Sequence, residues 1–109
     1  MKLNELAKSI HQNAVEHGWW DEDRQFPEVA ALIHSEVSEA LEEYRNGHRP
    51  DEVYFGEGGK LEGMPVELAD AIIRILDYCA KENIDIESIL LRKHEYNRDR
   101  PYRHGGKKC

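Results

Sequence analysis

Cysteine, methionine and aromatic residues are scarce in this 109-residue chain, which has two Cys, two Met, two Trp, two Phe and five Tyr. One cysteine lies on a helical pattern (Cys79) and the other is the last residue (Cys109), which makes no disulfide framework. The longest uninterrupted apolar run, Val29 to Ile33, falls far short of the ~20 residues a membrane span needs. No apolar segment follows Lys2, so a secretory leader is not expected and a cytoplasmic location is. Sustained strand alternation and internal repeats are also missing. So are Glu-x-x-His, His-Glu-x-x-His, a Walker loop and paired Cys-x-x-Cys, which speaks against di-iron, zinc and P-loop chemistry.

What is abundant is negative charge. The chain has 22 acidic and 15 basic residues, a formal net charge of −7. The charge is uneven: residues 93–109 are net basic, and residues 1–92 carry all but two of the acids. Such a body repels a polyphosphate backbone, so no nucleic-acid polymer is expected as a partner. An acidic protein that handles phosphates usually does so through a divalent cation. Hydrophobic residues make up 39% of the chain, a thin core for one domain, so sharing of core with another subunit is expected.

Periodicity and punctuation predict four helices in a single domain. Leu3, Leu6, Ile10, Ala14 and His17 place a first helix over about 3–17, with Gly18 behind it. Pro27 opens a second that runs to about Asn46, and Pro65 a third that runs to about Glu82. Asp85 caps a fourth from Ile86 to about Asp99, stopped by Pro101. Residues 47–63, with five glycines and Pro50, have loop composition. The expected fold class is all-α, a four-helix bundle-like domain assembled as a homo-oligomer.

Two pairs of acids carry the chemistry. Helix 2 contains Glu36 and Glu39, helix 3 Glu67 and Asp70, and i, i+3 spacing sets each pair on one helical face. Glu67 and Asp70 lie among Val66, Leu68, Ala69, Ala71, Ile72 and Ile73, on a polar stripe continued by Arg74 and Asp77. Like charges in a poorly solvated place repel and raise their own pKa values, and a divalent cation removes that penalty. Antiparallel packing of helices 2 and 3 would converge all four. An all-carboxylate site suits Mg²⁺, or Mn²⁺ as a substitute. The plain alternative is a solvated face, or a salt-bridged stripe with Arg74 paired to Asp70 or Asp77. Glu42 and Glu43 read as solvated surface.

Ser35-Glu36-x-x-Glu39, then Glu67-x-x-Asp70 on the next long helix, resembles the metal motif of the MazG-like all-α nucleoside triphosphate pyrophosphohydrolases. The family's first Glu is Ser35 here, a departure shared by some relatives of the dCTP pyrophosphatase kind. Lys93-His94-Glu95-Tyr96-Asn97-Arg98-x-Arg100-Pro101 and His104-Gly105-Gly106-Lys107 resemble the segment after the family's last helix. The resemblance spans roughly residues 10–107. It implies hydrolysis between the α- and β-phosphates of a nucleoside triphosphate, and a homodimer or homotetramer. Glu36, Glu39, Glu67 and Asp70 would hold Mg²⁺, with Glu36 or Glu39 as the catalytic base that orients water.

Lys93 and Asn97 are i, i+4 and point the same way, a point charge and an amide suited to phosphate or sugar oxygens. Arg100 and the stretch from Arg103 to Lys107 add charge, although a basic helix end also complements the helix dipole. Adjacent tryptophans rarely both bury fully, so one of Trp19 and Trp20 can pack while the other offers a face to a nucleobase, the alternative being that both serve the core alone. The resemblance points to the same region for the base pocket, and the residues do not choose between the two rings. His11 and His34 read as ordinary surface or core, and Cys79 as an inert core thiol. Two other functions fit the same residues: a non-catalytic, metal-dependent nucleotide-binding or regulatory subunit, and a structural helical oligomer with its acids paired to Arg74 and Lys93.

Overall fold

The computed structural model describes residues 2–101. It contains four α-helices: α1 (Leu3–Glu16), α2 (Phe26–Arg45), α3 (Met64–Lys81) and α4 (Ile86–Arg98). Expected and observed bounds agree within a residue or so at each end. Two helices begin on a proline in the first turn, Pro27 and Pro65, where the missing N–H costs no intrahelical bond. Three helices stop in the same way. Gly18, Gly47 and Asn83 adopt positive φ, and the next residue returns its N–H to a carbonyl five residues back: Trp19 to Ala14, His48 to Glu43, Ile84 to Cys79.

Residues 47–63 are more ordered than their loop composition suggests. Tyr54–Phe55 (β1) and Leu61–Glu62 (β2) pair antiparallel, Tyr54 opposite Glu62, around one 3₁₀ turn at Glu57–Gly59. The Tyr54 hydroxyl donates to Glu43 and the Tyr54 ring stacks on His48, tying this hairpin to the end of α2. So Glu43 is no free surface acid. At Gly63, φ is 128° and a Cβ would run into the Glu52 carbonyl, so the entry to α3 requires glycine.

α3 is the central element, packed against α2 and α1. Among the described residues the buried apolar ones are few and, Leu76 apart, modest in size: Ala7, Val29, Ala40, Ala71, Leu76 and Cys79. Cys79 is a buried free thiol, and burial raises its pKa. α4 does not close a compact bundle within one chain. It is pinned at its start, where Asp85 accepts from Ser88 and Asn4, and the Asn4 side-chain oxygen accepts from the Glu87 N–H. Beyond that pin none of its residues is buried. The radius of gyration, 16.5 Å, exceeds the ~13 Å of a compact domain of this length. No helix among the described residues is long and apolar enough to cross a membrane.

Candidate metal centre and its cavity

Packing α2 on α3 brings Glu36, Glu67 and Asp70 together, with one carboxylate oxygen from each within 4.8 Å of the others. Glu36 and Glu67 are each only 8% exposed. Glu39 lies on the exposed side of α2, within hydrogen-bonding reach of Glu67. Three of the four expected carboxylates thus form the cluster, and the fourth stands at its edge, reached through Glu67.

The electrostatic cost falls on α3. Burial first, then the shared hydrogen bond with Glu39 and the charges of Glu39, Asp70 and Glu36, push Glu67 up to about 7. Asp70 is also raised, by burial and then by Glu36, against the opposing charges of Arg74 and Lys60. Glu36 has a direct counter-ion: Arg74 Nε lies 3.0 Å from Glu36 Oε1. Arg74 therefore pairs across to α2 rather than along α3 to Asp70 or Asp77. One guanidinium offsets one carboxylate, which leaves a buried excess of negative oxygen ligands. Hard oxygen donors that raise one another's pKa fit Mg²⁺ or Mn²⁺.

A cavity of about 630 Å³ opens beside this cluster. Glu36, Asp70, Arg74 and Asp77 line one side, and α1 with Trp19 the other. The tryptophans divide their roles. Trp20 donates its indole N–H to Asp77 at 3.0 and 3.2 Å, and Asp77 also binds His11 Nδ1 at 2.7 Å. Trp20 is thereby a packing residue, and Asp77, 6% exposed, has its oxygens satisfied. Trp19 lines the cavity, with the guanidinium carbons of Arg24 and Arg74 at 3.9 and 4.6 Å from its ring centroid.

Asp77 and Arg74 were visible in sequence only as the continuation of the acidic stripe of α3. The His11–Asp77–Trp20 link had no local signal, because its members are 66 and 57 residues apart. Lys60, which acts on Asp70 from the hairpin, was equally hidden.

Lys93 and Asn97 do not join the cluster. They sit on the exposed α4, where the Lys93 ammonium lies 4.7 Å and the Arg100 guanidinium 5.7 Å from the Tyr96 ring. The reason is the short turn after α3, which pins the start of α4 to the start of α1 and leaves its remaining length uncovered. The expected phosphate contacts of Arg103 to Lys107 lie outside the described residues. Comparison of the chain with protein-family models, with curated proteins and with solved structures finds no match in any of the three.

Proposed function

We propose that this protein is a Mg²⁺-dependent nucleoside triphosphate pyrophosphohydrolase that releases pyrophosphate from a (deoxy)nucleotide. The observation that carries the reading is the convergence of buried Glu36 and Glu67 with half-buried Asp70 beside a cavity walled by Trp19. Glu36, Glu67 and Asp70 would hold the cation, with Glu39 at the rim as a further ligand or as the base. Bound there, Mg²⁺ would neutralise phosphate oxygens and acidify water. Glu39, more exposed than Glu36 and free of an arginine, is the better placed of the two to accept a proton from that water. Trp19 supplies an aromatic wall for a nucleobase, and a cavity of this size suits a small-molecule ligand.

The reading includes a homo-oligomer. Val37 and Leu41 on α2, Leu68, Ile72 and Ile75 on α3, and Leu90 and Leu91 on α4 are between 39% and 61% exposed, and such surface favours association. Lys93, Asn97 and Arg100 stand apart from the carboxylates of their own chain, so contact with phosphate at such a site would require a neighbouring subunit. A cytoplasmic setting belongs to the same proposal.

Pyrophosphate release from a panel of triphosphates, with and without Mg²⁺, tests the reading. Turnover that needs Mg²⁺ and falls at least about 100-fold in Asp70→Asn is expected. Thermal stabilisation by nucleotide and Mg²⁺ without turnover would instead identify a binding subunit. No response to either ligand would leave a structural oligomer.

A further inference from the structure

Arg74 holds two surfaces that the proposed function needs. It lies four residues after Asp70 and seven after Glu67, on the same stripe of α3. Its Nε donates to Glu36 Oε1 at 3.0 Å, and its guanidinium carbon lies 4.6 Å from the centre of the Trp19 ring. Among the described residues it is the cation ion-paired to the carboxylate cluster. A cation ligated by Glu36 would compete with this guanidinium for the same carboxylate, and two positive centres at that spacing repel. A ligand stacked on Trp19 would meet the same side chain.

Arg24 is a useful contrast. It also lies against Trp19, but its Nε donates to the Trp19 carbonyl at 2.8 Å and its Nη1 pairs with Glu28. Neither bond involves the cluster, so nothing that happens there releases Arg24. Among the described residues Arg74 has only Glu36 as its ion-pair partner; it is 27% exposed and borders the open cavity.

We infer that Arg74 is a metal-released latch, held by Glu36 and Trp19 in the cation-free protein and freed to bind a phosphate group when a divalent cation takes Glu36. The inference rests on the metal site proposed above. The planar fork of the guanidinium matches two phosphate oxygens, which makes the freed side chain an anion contact inside the cavity. The latch couples the sites reciprocally: a cation on Glu36 frees the guanidinium for phosphate, and phosphate on the guanidinium frees Glu36 for the cation.

Calorimetric titration of MnCl₂ into the whole protein, with tryptophan emission followed in parallel, tests this. Wild type is expected to bind Mn²⁺ with a change in emission as the guanidinium leaves the ring. Arg74→Met is expected to bind Mn²⁺ about fivefold more tightly, since a competing charge is gone, and without that emission change. With Mg²⁺ present, the variant should bind inorganic pyrophosphate at least about tenfold more weakly than wild type. Without a divalent cation the two should bind it equally. Arg74→Gln, which removes the charge and keeps a hydrogen bond, should behave like Arg74→Met and serves if the latter does not fold. Equal or weaker Mn²⁺ binding by the variants, with the emission change intact, overturns the latch and leaves the metal site standing. Failure of wild type to bind Mn²⁺ overturns both.

Discussion

α3 and α4 are adjacent in sequence and both mix charged with apolar residues, yet they are used in opposite ways. α3 turns its acids inward: Glu67 and Asp77 are buried, while Ile72 is 55% exposed. α4 buries nothing, and its charges and its leucines alike face outward. Covering by neighbours makes the difference. α1 and α2 close over the polar stripe of α3, whereas among the described residues α4 packs mainly on the start of α1. Under the function proposed above, a cation would relieve the buried acids of α3 on one side and an apolar surface would cover its isoleucines on the other.

The largest effect is expected from charging the apolar back of α3. If α3 meets another subunit through Ile72, then Ile72→Glu yields monomers in sedimentation analysis where wild type assembles. Leu91→Glu on α4 should shift the assembly less, because no packed element organises that face. A monomeric wild type would remove the oligomer from the account.

A smaller effect is expected at Glu67. Its folded pKa, about 7, lies above its ordinary value of 4.5, so the folded state binds more protons than the unfolded one between those pH values. The penalty is absent below about 4.5, grows with rising pH, and is complete above about 7. Cation-free Glu67→Gln should therefore be more stable than wild type at pH 8 by on the order of 2 kcal/mol, with the difference gone at pH 4, as read from chemical denaturation. Added Mg²⁺ should stabilise wild type and not the variant. A pH-independent difference would mean that the cluster carries no electrostatic strain.

The smallest effect belongs to the pin of α4. Bonds from Asn4 and Ser88 hold the Asp85 carboxyl below its ordinary 3.8, so its contribution is present above that pH and is lost as the pH falls through the lowered value. Asp85→Ala should lower Tm slightly at pH 7 and release α4 to faster amide exchange, with α3 unaffected. Equal exchange in both helices would show that α4 does not depend on this cap.

The parts that could be read locally were the helix bounds, signalled by Pro27, Pro65, Asp85 and the residues after each helix, and the paired acids at i, i+3. The grouping of Glu36 with Glu67 and Asp70 follows from two stripes of fixed period meeting. That Glu39 stands at the exposed edge of the cluster, reaching it through Glu67, was not legible, because exposure depends on what covers each turn of α2. Nor was which ring lines the cavity: Asp77, 57 residues away, takes the indole N–H of Trp20, and Trp19 is the ring left at the cavity wall.

Local chemistry thus decided where the four helices start and stop, and which faces carry carboxylates, because capping and periodicity act within a few residues. Tertiary packing decided what those carboxylates experience. Burial lifts Glu67, Arg74 turns to Glu36 rather than Asp70, and α4 with Lys93 and Asn97 is held away from them. Desolvation and ion pairing depend on which atoms approach across the fold, and no local spacing specifies that.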